Sequence, residues 1–419
     1  MRSFFRAFLA GAVVACWVHA AWAGEERHVQ LAARLCAGLV AHMSGEPVQP
    51  FVFRSYEPPD DASPLLPALE NAGFTYDNAL AVMALYACGR KSEASRVADA
   101  LVLALKTDRF YHDGRLRNAY RAGPVEDNGS MLLPGYWSSV SKSWIEDDYQ
   151  VGSATGSTAW GALALLTAYE QTGRRPYLDA ARTIMDWIHR STADPQNPGY
   201  FGGFFGQEPS PERIGWKSTE HNLDVYAADR WLAGLDPMGD WMHHAEKARV
   251  FLEAMWDFAD GRFFVGSLPD SAVPNTRMSG LDAELWPLIA VPAYAFRRAR
   301  VLEWTKRNHG VDGGFDFNND RDGIWLEGTA QAALVFRLSG RAKEAEPLFE
   351  MISRQIAPDG LLYATVNAEL STGLKVGADS ASVDFKYFRL PHVGATAWAV
   401  LAALKRNPFI STAGQSARR

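Results

Sequence analysis

Ala168-Tyr-Glu-Gln-Thr-Gly-Arg174 closes one apolar-periodic stretch and opens another. The arrangement occurs twice more, in Ala84-Leu-Tyr-Ala-Cys-Gly-Arg90 and Val335-Phe-Arg-Leu-Ser-Gly-Arg341. In each case Gly stands where a helix should end, because it enters the left-handed cap without a Cβ penalty. A second amphipathic stretch follows at once. The unit is a helix-turn-helix, repeated at an irregular period.

Working outward, apolar residues recur with a helical period in twelve segments. The first six are Arg27–Met43, Phe74–Ala87, Ser92–Leu105, Thr158–Gln171, Tyr177–His189 and Ser218–Leu232. The others are Trp241–Phe258, Asp282–Ala290, Ala293–Arg307, Trp325–Leu338, Ala342–Ile356 and Gly394–Leu404. Tight turns are expected at Gly89, Gly173, Gly234 and Gly340. Long connections run over Asp108–Gly156, Arg190–Lys217, Ala259–Leu281 and Ala357–Val393. Loops of that length in a compact domain usually serve a function. Short strands are expected in them, at Arg115–Tyr120 and Leu361–Val366.

Every second helix is small and apolar around much of its girth, as Ala159, Gly161, Ala162 and Ala164 illustrate. Helices of that kind are buried, whereas the other six carry a polar face. Six buried helices inside six amphipathic ones make an all-α (α/α)6 barrel of six hairpins, with short β-hairpins in the long loops. Arg27–Met43 completes the outer ring beside the last inner helix. Every long loop leads into an inner helix, so all of them gather at one barrel end. A single barrel domain is expected over 24–410, with a flexible tail over 411–419.

The chain has 419 residues, 47% of them hydrophobic, and a net charge of −6. Nothing in that balance suggests nucleic acid, which calls for a basic face. Arg2 and Arg6, the apolar run Phe8–Val18 and Ala21-Trp22-Ala23 read as a signal peptide over 1–23. The mature chain is therefore expected in the periplasm or outside the cell, as a monomer without a membrane span. Cys36 and Cys88 would remain after cleavage, either bridged or as two buried thiols.

The loop end concentrates polar and aromatic residues at the inner-helix starts. Tyr76 and Asp77 open the first, and Trp216, Glu220, His221 and Asp224 the third. Asp282 and Trp286 belong to the fourth, Trp325 and Glu327 to the fifth, and His392 precedes the sixth. Paired carboxyls supply a general acid and a general base, and aromatic faces suit sugar rings. Glu220 and Glu327 are the leading catalytic candidates, with Asp77 and Asp282 as alternates. Tyr76, Trp216, Trp286 and Trp325 would line sugar subsites, while His221, Asp224 and His392 would bind hydroxyls or orient carboxylates. A purely structural account competes: acids favour the first turn of a helix, Asp77 could be a cap, and both histidines could be satisfied core residues.

Asp316-Phe-Asn-Asn-Asp-Arg-Asp322, with Glu327 eleven residues after Asp316, mimics an EF-hand loop. Arg321 stands where that loop requires Gly, and no clear helix precedes it. No metal and no cofactor is therefore expected. Phosphate-loop, zinc-protease and serine-hydrolase motifs do not occur.

Phe74-Thr-Tyr-Asp-Asn-Ala-Leu80, Lys217-Ser-Thr-Glu-His-Asn-Leu-Asp224, Trp325-Leu-Glu-Gly-Thr-Ala-Gln331 and Pro391-His-Val-Gly-Ala-Thr-Ala-Trp398 resemble blocks of exported bacterial proteins in the six-hairpin glycosidase superfamily. The resemblance implies action on glycans, often exopolysaccharide or envelope glucan. An endo-acting, inverting glycoside hydrolase on a glucan-like polysaccharide is the leading expectation. A lyase or epimerase would use His221 or His392 on a carbon-bound proton, although an acidic chain suits a polyanionic lyase substrate poorly. A glycan-binding or secretion-accessory protein is the third reading.

Overall fold

The computed structural model describes residues 24–46, 48–58, 65–126, 129–375, 377 and 384–416. The expected signal peptide and residues 417–419 lie outside them. Helix α1 spans 24–41. It is followed by α2 (Thr75–Ala87), α3 (Lys91–Thr107), α4 (Asp148–Val151), α5 (Thr155–Thr172), α6 (Arg175–Ser191), α7 (Thr219–Leu235) and α8 (Trp241–Ala254). Then come α9 (Leu281–Leu285), α10 (Pro287–Ala290), α11 (Arg298–Asn308), α12 (Leu326–Leu338), α13 (Ala342–Arg354), α14 (Val393–Ala403) and α15 (Thr412–Ser416).

The inner ring closes on itself in the order α2, α5, α7, α9–α10, α12, α14 and back to α2. Outer helices α3, α6, α8, α11 and α13 each pack on the inner helix before them. Helix α1 reaches α13, where His28 meets Phe349 at 4.2 Å. This double ring is an (α/α)6 barrel. The burial follows composition: in α5 nearly every residue from Thr155 to Ala168 is buried, because small side chains let neighbouring backbones approach. Among the described residues no helix is long and apolar enough to cross a membrane.

Gly89, Gly173 and Gly340 take φ of 75°, 70° and 74°, the left-handed turns their sequence context demands. Gly234 does not: it stays inside α7, and the turn forms after Leu235. The fourth inner helix is broken at Trp286, because Pro287 cannot donate into the helical ladder. The described part of the tail is held to the barrel. Residues 412–416 form α15, and Thr412 donates its backbone N–H (2.8 Å) and hydroxyl (2.6 Å) to Glu170. Strands Ala119–Arg121 and Leu362–Tyr363 pair with Ala72–Phe74 and Pro391–His392, laying the long loops against the helix starts.

Cys36 and Cys88 form a disulfide with Cα atoms 6.6 Å apart, tying α1 to the end of α2. It closes a segment of 52 residues. Replacing both cysteines by Ser should cost about 2–4 kcal/mol of stability. Denaturant unfolding would show this as a lower midpoint, matched by the native chain under reductant; coincident curves for all three would refute it.

Candidate active site

The six inner helices begin alike. The first N–H groups of a helix have no partner inside it. Here each is met by a carbonyl of a long loop: Thr75 by Asn118, Thr155 by Gly202, Thr219 by Val265, Leu281 by Phe317, Leu326 by Ala364 and Val393 by Ser55, at 2.8–3.0 Å. Thr75, Thr155 and Thr219 add a hydroxyl bond of 2.6 Å to the preceding loop carbonyl. This pattern locks the helix starts to the loops. It brings the second residues of the six helices, Tyr76, Gly156, Glu220, Asp282, Glu327 and Gly394, into one ring.

Two of these are Gly for reasons of space. A Cβ on Gly394 would lie 2.4 Å from Asp77 Oδ1 and 3.1 Å from Glu327 Oε2. A Cβ on Gly156 would lie 2.3 Å from His221 Cδ2. The glycines vacate the volume that the functional groups occupy.

The first arc of the ring is built by α2, α12 and α14. Glu327 is 1% exposed, and its Oε1 accepts from the Tyr76 hydroxyl at 2.7 Å. Tyr76 in turn accepts from Trp398 Nε1 at 2.8 Å. Glu327 Oε2 is buried without a hydrogen-bond partner. His392 Nδ1 caps α14 by accepting from the Ala395 N–H at 3.1 Å, and Nε2 faces Asp77 Oδ2 at 3.2 Å. The ring is fixed from the other side by Tyr56, stacked at 4.4 Å. Burial disfavours a charged His392, but Asp77 outweighs it and lifts the pKa above the ordinary imidazole value. Burial pushes Glu327 up to about 8, against the pull of His392 and Tyr76. Asp77, Glu327 and His392 bring potential ligand atoms within 4.8 Å. In the tautomer these contacts select, Nδ1 accepts from Ala395 and Nε2 carries the hydrogen toward Asp77, so the one ring lone pair is already used.

The second arc is built by α7 and α9. The Glu220 carboxyl stands against that of Asp282, and the two are electrostatically linked. Burial, then the charges of Asp282, Asp224 and Glu327, hold Glu220 well above the usual carboxylate range. Burial also lifts Asp282, to about 6, while the Ala283 N–H (2.8 Å) and Glu220 favour its charge. Glu220 therefore keeps the proton and Asp282 the charge. Glu220 is half-buried and Asp282 is buried behind it.

Several expected roles change. Trp286 is 1% exposed and belongs to an aromatic plug, 5.5 Å from Trp160, 5.7 Å from Trp398 and 5.3 Å from Phe409. It presents no face to a sugar. Trp325 is equally buried, covered by Phe317 at 5.0 Å and Tyr387 at 5.3 Å. Asp224 is fully buried one turn below Glu220, beside Trp160, and burial holds it well above the usual carboxylate range. It lies in the floor below the rim, with both carboxyl oxygens buried. His221 and Trp216 stay half-buried at the rim, 5.5 Å apart, and burial lowers His221 to about 4.

Other rim residues went unread in the sequence. Tyr149, on the one-turn helix α4, is half-buried, and its hydroxyl is raised by burial and by Glu220 and Asp77. Phe385 and Tyr387 share one face of strand Asp384–Phe388, which pairs with Glu369–Lys375. Phe385 meets Tyr149 at 5.8 Å, and Tyr387 lies 6.1 Å from His392. The alternation in Asp384-Phe-Lys-Tyr-Phe388 was the available signal for them.

No family model matches the chain, and no curated protein matches it in sequence. Solved structures do match. A wild-type glycosidase superposes with a TM-score of 0.59 at 13% identity, covering 92% of this chain and 98% of its own. The fold is the six-hairpin (α/α)6 barrel. A cellobiose 2-epimerase from Bacillus thermoamylovorans matches with a TM-score of 0.60 at 12% identity, over 89% of this chain and 99% of its own. A sugar epimerase from a ruminal bacterium reaches 0.62 at 11% identity, over 89% and 98%. At these identities the likeness concerns the barrel alone.

Proposed function

We propose that this chain is a glycoside hydrolase in which Glu327 is the general acid and the Glu220–Asp282 pair is the base. The observation that carries the reading is the buried, unpartnered Oε2 of Glu327 on a carboxyl that stays protonated at neutral pH. Tyr76 already occupies Oε1, so the acidic proton belongs on Oε2, which lies 3.8 Å from His392 Nδ1 and would pass its proton to a leaving oxygen that substrate binding brings against it. On the other arc, Asp282 holds the charge and Glu220 reaches the half-open rim, where water would be drawn on. An inverting enzyme needs its two carboxyl groups about 6.5–9.5 Å apart with a water between them, and the placing of the acid and the pair on separate arcs supports that reading. Half-buried Tyr76, Tyr149, Trp216 and Tyr387 supply the aromatic rim for sugar rings.

The substrate class we favour is a gluco-configured polysaccharide cut internally. One glycosidase neighbour is described in complex with glucose, and another neighbour is a cellobiose epimerase. We place the enzyme in the periplasm or outside the cell; the Cys36–Cys88 disulfide supports an oxidising compartment. The test is product analysis on purified α- and β-glucans, with NMR of the first-formed anomer. Absence of reducing ends from every glucan would sink the proposal.

The pH dependence follows from the two arcs. Glu327 works protonated, so kcat/KM falls as pH rises through about 8. The pair works with its charge on Asp282, so activity also falls as pH drops through about 6. Tyr76→Phe removes a bond that favours ionised Glu327 and should move the alkaline limb upward. A profile flat from pH 5 to pH 9, or an unmoved limb in Tyr76→Phe, would contradict the assignment.

An epimerase is the second reading, favoured by one observation. His221 is neutral at physiological pH, and its Nδ1 is buried without a partner. Solvent deuterium incorporated at a sugar carbon, without bond cleavage, would select it.

A further inference from the structure

The loop from Asp316 to Asp322 contains a group of acids outside the catalytic ring. One carboxylate oxygen from each of Asp316, Asp320 and Asp322 lies within 4.8 Å of the others. Asp320 and Asp322 are exposed, but Asp316 is 0% exposed. Its Oδ1 accepts from the Phe317 N–H at 2.6 Å. Its Oδ2 is buried, and among the described residues no donor faces it. A buried carboxylate oxygen without a donor is costly unless a cation or proton meets it.

We propose that Asp316, Asp320 and Asp322, with the side-chain carbonyl of Asn318, bind a calcium ion. Calcium takes oxygen ligands at about 2.3–2.6 Å, so oxygens on opposite sides of one ion stand about 4.6–5.2 Å apart. The three carboxylates fit that span. Asn318 Oδ1 accepts from the Asp320 N–H at 2.6 Å and keeps a second lone pair. The objection from sequence was Arg321, at the position where such a loop needs Gly. The structure removes it: Arg321 adopts φ of 60°, the left-handed turn that Gly would supply. Glu327, the twelfth residue of the motif, faces the catalytic ring instead. Strand residue Asp384 lies near Asp322, accepting from the Ser371 hydroxyl at 2.6 Å with Oδ1 buried and unpaired. Lys386, the basic residue that feels Asp384 and Asp322, is committed to Glu369 Oε1 at 2.8 Å.

The ion has a structural consequence. Asp322 Oδ2 accepts from the Ser371 N–H at 3.1 Å, and Asn318 Nδ2 donates to the Ser371 carbonyl at 3.5 Å. Ser371 belongs to the strand pair that carries Phe385 and Tyr387 over the cleft. Calcium would lock the acidic loop and so hold that rim in place.

The test uses the full chain, stripped with chelator, and calcium chloride as the probe. Titration calorimetry should show one site per chain, and Tm should rise by about 3 °C at a hundredfold excess over Kd. Asp320→Asn and Asp322→Asn, both at exposed positions that leave the core intact, should weaken binding by about tenfold or more. The proposal is overturned if the native chain shows neither heat nor a Tm shift, if the variants respond as the native chain does, or if magnesium gives an equal rise. None of these readouts depends on hydrolysis, so they stand apart from the catalytic assignment.

Discussion

Glu327→Gln should lower kcat at pH 7 by about 10²–10⁴-fold, the usual worth of a general acid. The amide preserves shape and can still accept from Tyr76 at Oε1, so the fold should be untouched. It has no proton to give a leaving oxygen. Glu220→Gln should lose activity over a similar range, because the pair could no longer pass its proton to Asp282 and take up another. Substrates with activated leaving groups, which need little protonation, should recover much of the rate in Glu327→Gln and none in Glu220→Gln. Steady-state kinetics on both substrate types checks this. If both single variants kept full hydrolysis, the site would have to be sought elsewhere in the ring.

The second large effect lies three residues before Glu220. Lys217 is fully buried, and its ammonium donates to Asp194 Oδ2 at 2.6 Å and to the Pro198 carbonyl at 2.9 Å. Asp194 is itself 3% exposed. Removing one partner of such a pair strands a charge in a dry interior, at a cost of about 3–5 kcal/mol. Lys217→Met should show that loss in Tm and in denaturant midpoint. Adding Asp194→Asn should restore most of it, because a neutral pair of similar volume does not carry the stranded charge. A double variant as unstable as Lys217→Met would mean that the loss comes from packing. The pair also anchors the loop entering α7, so activity in Lys217→Met should fall with stability.

Much of the architecture was legible because its causes are local. A helix is recognised by residues three and four apart, and Gly89, Gly173 and Gly340 announce their turns through their own backbone freedom. Gly234 misled for the same reason: a Gly inside a helix looks like one just beyond it until the next residues are seen to stay helical. The end that gathers the long loops was legible too, since all of them lead into inner helices. Asp77, Glu220, Asp282, Glu327 and His392 could be placed at that end because they stand at those helix starts.

Their partners were not legible. Which side of an inner helix faces the axis depends on six helices closing together, so Trp286 and Trp325 looked like sugar platforms and are core. The Tyr76–Glu327 bond joins residues 251 apart in the chain, and the Trp398–Tyr76 bond joins residues 322 apart. No local pattern encodes such meetings.

The acidic loop makes the division plain. In sequence, Glu327 completes the motif begun at Asp316, and Arg321 spoils it. In space, Glu327 belongs to the ring and Arg321 makes the turn. The order of helices, three of the four expected Gly turns and the end that carries the loops follow from the sequence alone, because backbone preference and apolar period act over a few residues. Which carboxyl keeps its proton is decided only by tertiary structure, because burial and the charges of neighbours set a pKa. Those neighbours arrive from other helices of the ring, far away in the chain.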